Sequence, residues 1–267
     1  MSPPLIDIPT DGHVHTHLCN HAVGEMEEYI ENAVTRGLRV ITFLEHLEAE
    51  IRYQPRSWLE KEEFDIYFRE GERLKRQFDG AIEVRLGVEA GYNPAASNLL
   101  REKLTHYRWD RIGISCHFHP QGEVHRNLLS RRRESLDQLA ALGVDAVITK
   151  YFDALLEAVE TIDCHVLCHL DAVMRNYPGI RFNDEHRQQI TALLDAMQTR
   201  GVALEINTSG FDYRGSPFPA PWIIAAAMDR GIPLSAGSDA HRPEDVGRHF
   251  DRLPDYLAQI ATSSSLP

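Results

Sequence analysis

The 267-residue sequence predicts an α/β barrel built from seven strand–helix units. Three observations carry this expectation. Short apolar segments alternate with longer helix-forming segments along the chain. Glycines stand where the helical segments should end. Histidines and carboxylates fall at or just after the ends of the apolar segments, the rim where barrels of this kind place their sites. The length is large for one core yet ordinary for one barrel. With no linker, low-complexity tract or tandem repeat, residues 1–267 read as a single domain.

The elements follow in order. Strands are expected at 12–16 (GHVHT), 39–45 (RVITFLE), 82–88 (IEVRLGV), 111–117 (RIGISCH), 165–170 (HVLCHL), 202–207 (VALEIN) and 232–237 (IPLSAG). Helices are expected at 24–36, 59–78, 94–105, 131–161, 184–200, 219–230 and 243–259. In the 184–200 segment Ile190, Leu193, Leu194 and Met197 follow the 3, 4, 7 spacing of one buried helix face. Pro219, Pro221 and Pro243 suit loop ends or first helical turns. Gly37, Gly143, Gly201 and Gly231 suit left-handed caps at helix ends.

Composition narrows the function classes. The hydrophobic fraction is 43 % and the charged fraction 25 %, ordinary globular values. No apolar run approaches the roughly 20 residues needed to cross a bilayer. The opening MSPPLIDIPTDGHVH has neither a basic nor an apolar signal region, so a cytoplasmic location is expected. A formal net charge of −12 argues against a nucleic-acid partner. Arg131-Arg132-Arg133, the one basic cluster, reads as a solvated helix start. The four cysteines form no CxxC pair, and Cys116 and Cys168, each directly before a strand-end histidine, are expected to face the surrounding core.

The fourteen histidines are the informative feature. His13 and His15 share one face of the first strand, as chelation requires, and His21 lies in the loop beyond. His46 ends the second strand, Glu89 the third, His117 the fourth and His169 the fifth, while Asp239 and His241 close the seventh. Each alone has a bland reading as a hydrogen-bonded or turn residue. Six of seven strands delivering a ligand-type residue at one rim is what points to metal. Seven imidazoles and two carboxylates exceed the roughly four ligands of one zinc, so two or three divalent ions (Zn, Fe or Mn) are expected, with Glu89 or Asp239 free to bridge.

These residues resemble the PHP (polymerase and histidinol phosphatase) superfamily, and within it the histidinol-phosphate phosphatases. The matching stretches are DGHVHTHLCNHAVGEMEEYIENAVTRGL, ITFLEHLE, LGVEAGY, IGISCHF, CHLDAVMR, EINTSG and PLSAGSDAHRPEDVG, which span nearly the whole chain. The resemblance implies a distorted (β/α)7 barrel with a trinuclear site. By position it assigns His13, His15, Glu89 and Asp239 to one ion, Glu89, His117 and His169 to a second, and His21, His46 and His241 to a third.

The substrate the resemblance implies is L-histidinol phosphate, a small phosphorylated molecule, and the pathway histidine biosynthesis. Arg175, Arg214 and His119 are the candidate phosphate-binding residues; Glu89, Asp239 and His241 are the candidate catalytic ones. The expected reaction is in-line attack on phosphorus by a hydroxide bridging the ions joined by Glu89, with Asp239 or His241 orienting water or protonating the leaving alkoxide. Two segments depart from the family pattern: Asp212 stands where an arginine is expected, and Phe118-His119-Pro120-Gln121-Gly122 replaces an aromatic-rich continuation. Both bear on the substrate and not on the hydrolytic centre. Competing readings are a C–N hydrolase of the amidohydrolase type, which would want a strand-four lysine, a proofreading exonuclease, and a non-catalytic metal-binding module. The sequence does not give the oligomeric state.

Overall fold

The computed structural model describes residues 6–263. Met1–Leu5, the start of the stretch read for a signal peptide, and residues 264–267, the end of the proposed single domain, lie outside them. Seven parallel strands form one sheet: β1 (Thr10–Val14), β2 (Val40–Glu48), β3 (Glu83–Gly91), β4 (Arg111–Ser115), β7 (Val166–Leu167), β8 (Ala203–Asn207) and β9 (Leu234–Gly237), paired in that order. The sheet curls until its edges meet. Val14 and Ala240 form a parallel bridge, the Asp239 amide donates to the His13 carbonyl at 2.9 Å, and the His15 amide to the Ala240 carbonyl at 2.9 Å. The result is a nearly closed barrel, as the sequence predicts.

Helices α1 (Met26–Thr35), α2 (Lys61–Gln77), α3 (Ser97–Leu104), α4 (Arg133–Ala140), α5 (Val144–Thr161), α6 (Asp184–Arg200), α7 (Gly210–Arg214), α8 (Pro221–Asp229) and α9 (Leu253–Ser263) surround the strands. Helix α6 shows why the pattern is readable. Asn183 caps it by accepting from the His186 amide at 3.0 Å, and Ile190, Leu193, Leu194 and Met197 are its buried stripe. The core is the layer between helices and barrel, where Tyr29, Phe43, Tyr67 and Phe152 are buried.

Several boundaries differ from expectation. The single helix at 131–161 is two, α4 and α5, because Gly143 adopts φ +91° and turns the chain between them. The helix expected at 243–259 is a pair of 3-10 turns, Pro243–Asp245 and Phe250–Arg252, before α9 begins at Leu253. Strand β7 has two residues instead of six. An antiparallel hairpin, β5 (Phe118–Gln121) with β6 (Val124–Asn127), leaves the barrel after β4. Strand β1 carries a register irregularity between Asp11 and Val14, which re-aims the residues that include His13. Among the described residues, no helix is long and apolar enough to cross a membrane.

Candidate metal centre

The C-terminal rim of the barrel collects the predicted residues around Glu89. This carboxylate sits on β3 in register with His46 on β2 and is fully buried. Its Oε1 is 2.8 Å from His169 Nε2 and 3.1 Å from His117 Nε2. Its Oε2 is 3.0 Å from His46 Nδ1, 3.4 Å from His13 Nε2 and 3.6 Å from His15 Nε2. Asp239 Oδ1 lies 3.4 Å from His15 Nε2 and 3.9 Å from His13 Nε2. His21 and His241 meet through their Nε2 atoms at 2.9 Å. All nine candidate ligands therefore converge on one place.

Electrostatics in this cluster is set by burial against mutual charge. Burial alone would raise the Glu89 carboxyl, but His117, His13 and His46 outweigh it and hold it well below the usual range. Burial also opposes charge on His117, yet Glu89 and Glu48 push it up to about 10. For His46 burial outweighs the pull of Glu89 alone and drives it down to about 3. Burial takes His241 to about 4 despite Asp239.

The donor set fits cations. His13 Nδ1 faces Glu205 Oε1 at 2.5 Å, so in the neutral ring the bare lone pair is on Nε2, which faces His15 Nε2 at 2.9 Å. His21 Nδ1 faces the Cys19 carbonyl at 2.9 Å and His241 Nδ1 the Asp239 carbonyl at 3.0 Å, which turns their bare Nε2 atoms toward one another. Facing lone pairs repel unless a proton or a cation lies between them. Ligand atoms of His15, His46 and His241, and of His13, His15 and Asp239, lie within 4.8 Å of one another. Imidazole with carboxylate suits Zn, Fe or Mn.

Supporting residues complete the centre, and sequence reasoning missed them. Glu205 on β8 accepts from His13 through Oε1 and from the His169 amide through Oε2 at 2.7 Å. Glu48 Oε1 lies 2.9 Å from His117 Nδ1. Asp11 accepts from the Ser238 amide at 3.0 Å and the Gly247 amide at 2.8 Å, tying the Asp239 loop to β1. Carboxylates that orient ligating histidines fix the ring tautomer as well as its direction. The period-2 rule was a usable signal for Glu48, since it shares a strand face with His46. Room for Glu205 comes from Gly237, where a Cβ would lie 2.3 Å from Glu205 Oε1 and 2.8 Å from His13 Cβ.

Above the cluster opens a cavity of about 930 Å³, lined by His21, His46, Glu89, His117, His169 and Arg175, among others. Two of the candidate phosphate-binding residues do not line this cavity. His119 lines a separate cavity with Lys150 and Tyr151. The alternation that would align it with His117 fails because the chain leaves the barrel at Ser115 and enters the hairpin at Phe118. Arg214 is committed elsewhere: it donates to buried Asp171 at 3.0 and 3.3 Å and to the Pro217 carbonyl at 2.6 Å. Cys168 also departs from expectation. Strand β7 ends at Leu167 and His169 takes φ +27°, so Cys168 packs beneath the histidines with Leu44 and Val166.

Comparison with known proteins agrees with this geometry. The PHP domain matches residues 11–209, and a PHP-associated segment matches residues 223–256. A probable histidinol-phosphatase of Deinococcus radiodurans is 30 % identical over 90 % of this chain and 89 % of its own. The histidinol-phosphatase of Bacillus subtilis is 26 % identical over 90 % and 96 %. Among solved structures, a putative histidinol phosphatase from Listeria monocytogenes superposes with TM-score 0.83 at 20 % identity, covering 91 % of this chain and 99 % of that one. The Lactococcus lactis enzyme, solved with zinc, L-histidinol and phosphate, gives 0.72 at 18 % identity, covering 97 % and 94 %. The PHP-domain match runs from Asp11 in β1 through β8 and takes in every candidate ligand except Asp239 and His241: the chain belongs to the PHP family.

Proposed function

We propose that this protein is a metal-dependent histidinol-phosphate phosphatase. One observation carries the reading: a buried carboxylate, Glu89, surrounded by five imidazoles at the floor of a cavity that also holds a guanidinium, Arg175. His13, His15, Glu89 and Asp239 would hold one divalent ion, Glu89, His117 and His169 a second, and His21, His46 and His241 a third. Such ions, when bound, lower the pKa of water toward about 7 and neutralise charge on phosphoryl oxygens.

The chain's own residues do the rest. Glu205, Glu48 and Asp11 hold the ligand-bearing segments so that little reorganisation accompanies reaction. Arg175 offers a planar fork to phosphate oxygens. His241, at the cavity wall, and Asp239 beside it at 3.6 Å are placed to orient a water that passes a proton to the leaving alkoxide.

The names of the relatives and the bound molecules of the Lactococcus enzyme support L-histidinol phosphate as the substrate. Candidate ligands drawn from residues 13 to 241 around one barrel support a single domain. A cytoplasmic enzyme with a small phosphorylated partner, and neither nucleic acid nor membrane, completes the reading. No lysine lines the cavity among the described residues, which weighs against a lysine-bridged C–N hydrolase. The test is a phosphomonoester screen including L-histidinol phosphate, run with manganese, zinc and iron in turn. Metal-dependent release of phosphate is expected; release from no monoester at full metal loading would refute the proposal.

A further inference from the structure

Four arginines line the cavity: Arg131, Arg175, Arg242 and Arg248. Two of them face carboxylates. Arg248 donates to Asp212 at 3.1 Å and to the Ser238 and Asp239 carbonyls at 3.0 and 3.2 Å, and it lies 3.5 Å from Asp245. Arg242 stands 3.8 Å from Glu244. Arg131 and Arg175 have no carboxylate partner among the described residues.

These two converge on Tyr213. Their guanidinium carbons lie 5.1 and 4.3 Å from its ring centroid, and both donate to its phenol oxygen, Arg175 at 3.4 Å. Arg175 Nε and Nη1 are buried and lack any acceptor. Unsatisfied N–H groups on a buried cation are costly, so an acceptor belongs there. Asp212 cannot supply a cation at this wall, and its own charge is met by Arg248 and by His249 at 2.8 Å. A guanidinium with no carboxylate partner among the described residues, that of Arg131, reaches this wall instead from the loop before α4.

We propose that Arg131 is a substrate-binding residue, which with Arg175 across Tyr213 clamps the phosphoryl group. The inference rests on the phosphatase reading and names a residue of that same site. Tyr213 keeps both forks at the wall and gives up its hydrogen bonds when phosphate oxygens, stronger acceptors, arrive. Arg131 is exposed, so its replacement is expected to leave the fold intact.

The experiment compares R131A, R131K and R132A with the unmodified protein, all metal-loaded; Arg132 is a neighbour that does not line the cavity. Steady-state kinetics use L-histidinol phosphate, and calorimetry titrates inorganic phosphate directly. R131A is expected to raise KM and the phosphate Kd about tenfold or more, with kcat within about threefold, R131K falling between and R132A unchanged. Wild-type KM and phosphate Kd in R131A would overturn the proposal, as would an equal loss in R132A. If the unmodified protein binds phosphate but hydrolyses no monoester, the phosphatase reading fails, while the calorimetric comparison still decides the role of Arg131.

Discussion

Glu205→Gln is the sharpest probe of the candidate centre, because Glu205 holds two ligands and is itself placed to hold no ion. Its side chain is 3 % exposed and accepts from His13 Nδ1 at 2.5 Å, the His169 amide at 2.7 Å and Asn207 Nδ2 at 3.0 Å. Glutamine keeps the size but has one acceptor oxygen. If that oxygen faces His13, the new amide NH2 faces the His169 N–H, donor against donor. If it faces His169, the conflict moves to His13. Either way at least one buried charge-assisted bond, worth about 1.5–3 kcal/mol, is lost. Replacing a carboxylate that orients a ligating histidine typically weakens metal binding about 10–100-fold, or about 1.4–2.7 kcal/mol, which matches the loss of one such bond. The assay is chelator competition for zinc, with elemental analysis of the purified variant and a melting curve of the metal-free form. Wild-type zinc affinity in a variant confirmed to lack the carboxylate would refute the argument that Glu205 aims His13 and His169.

Three further outcomes are expected. Gly237→Ala places a methyl against Glu205 and His13 Cβ; overpacking of about 1–3 kcal/mol should lower the melting temperature and the metal content together, so a variant with normal zinc and normal melting would count against the close approach. Exhaustive chelation should abolish hydrolysis and lower the melting point. Readdition at about a hundredfold excess over Kd restores about 2.7 kcal/mol per ion, near 5–10 °C for a chain this size by differential scanning calorimetry. Arg214→Ala should cost about 1–3 kcal/mol of stability, because it strands Asp171 (1 % exposed) while the guanidinium itself is 31 % exposed, and it should leave KM unchanged; a raised KM without destabilisation would return Arg214 to the substrate site.

The strands and the ligands were legible for the same reason. A barrel strand must be apolar and short, and a ligand must be His, Asp or Glu at its far end, so both leave marks in local sequence. The elements that failed to show are those decided by tertiary context. Gly143 reads as a helix cap or as a tolerated interior glycine until the helix is seen to break there at φ +91°. Gln121-Gly122 between two polar segments carries too little hydrophobic alternation to announce the β5–β6 hairpin, and that hairpin is what removes His119 from the site. Arg131 lay hidden in a run of three arginines, which nothing local divides into one cavity residue and two solvated ones.

The backbone at the rim shows why ligand identity alone does not make the centre. His169 and Asp239 occupy φ +27° and +51°, a region that side chains with a Cβ enter at a cost of about 1–3 kcal/mol each. Both are pinned where that cost is incurred: the His169 amide donates to Glu205 and the Asp239 amide to the His13 carbonyl. Arg248 further holds the Ser238 and Asp239 carbonyls, and Asp11 the Ser238 amide. In regular extended backbone, the period-2 alternation would send Cys168 and His169 to opposite faces and take His169 away from Glu89. The left-handed turn admits both, placing the imidazole 2.8 Å from Glu89 and the thiol beneath it. The strain thus converts two adjacent residues just beyond a short strand into a ligand and its packing support, and Glu205, the buried carboxylate that pins the His169 amide, is also the one that aims His13.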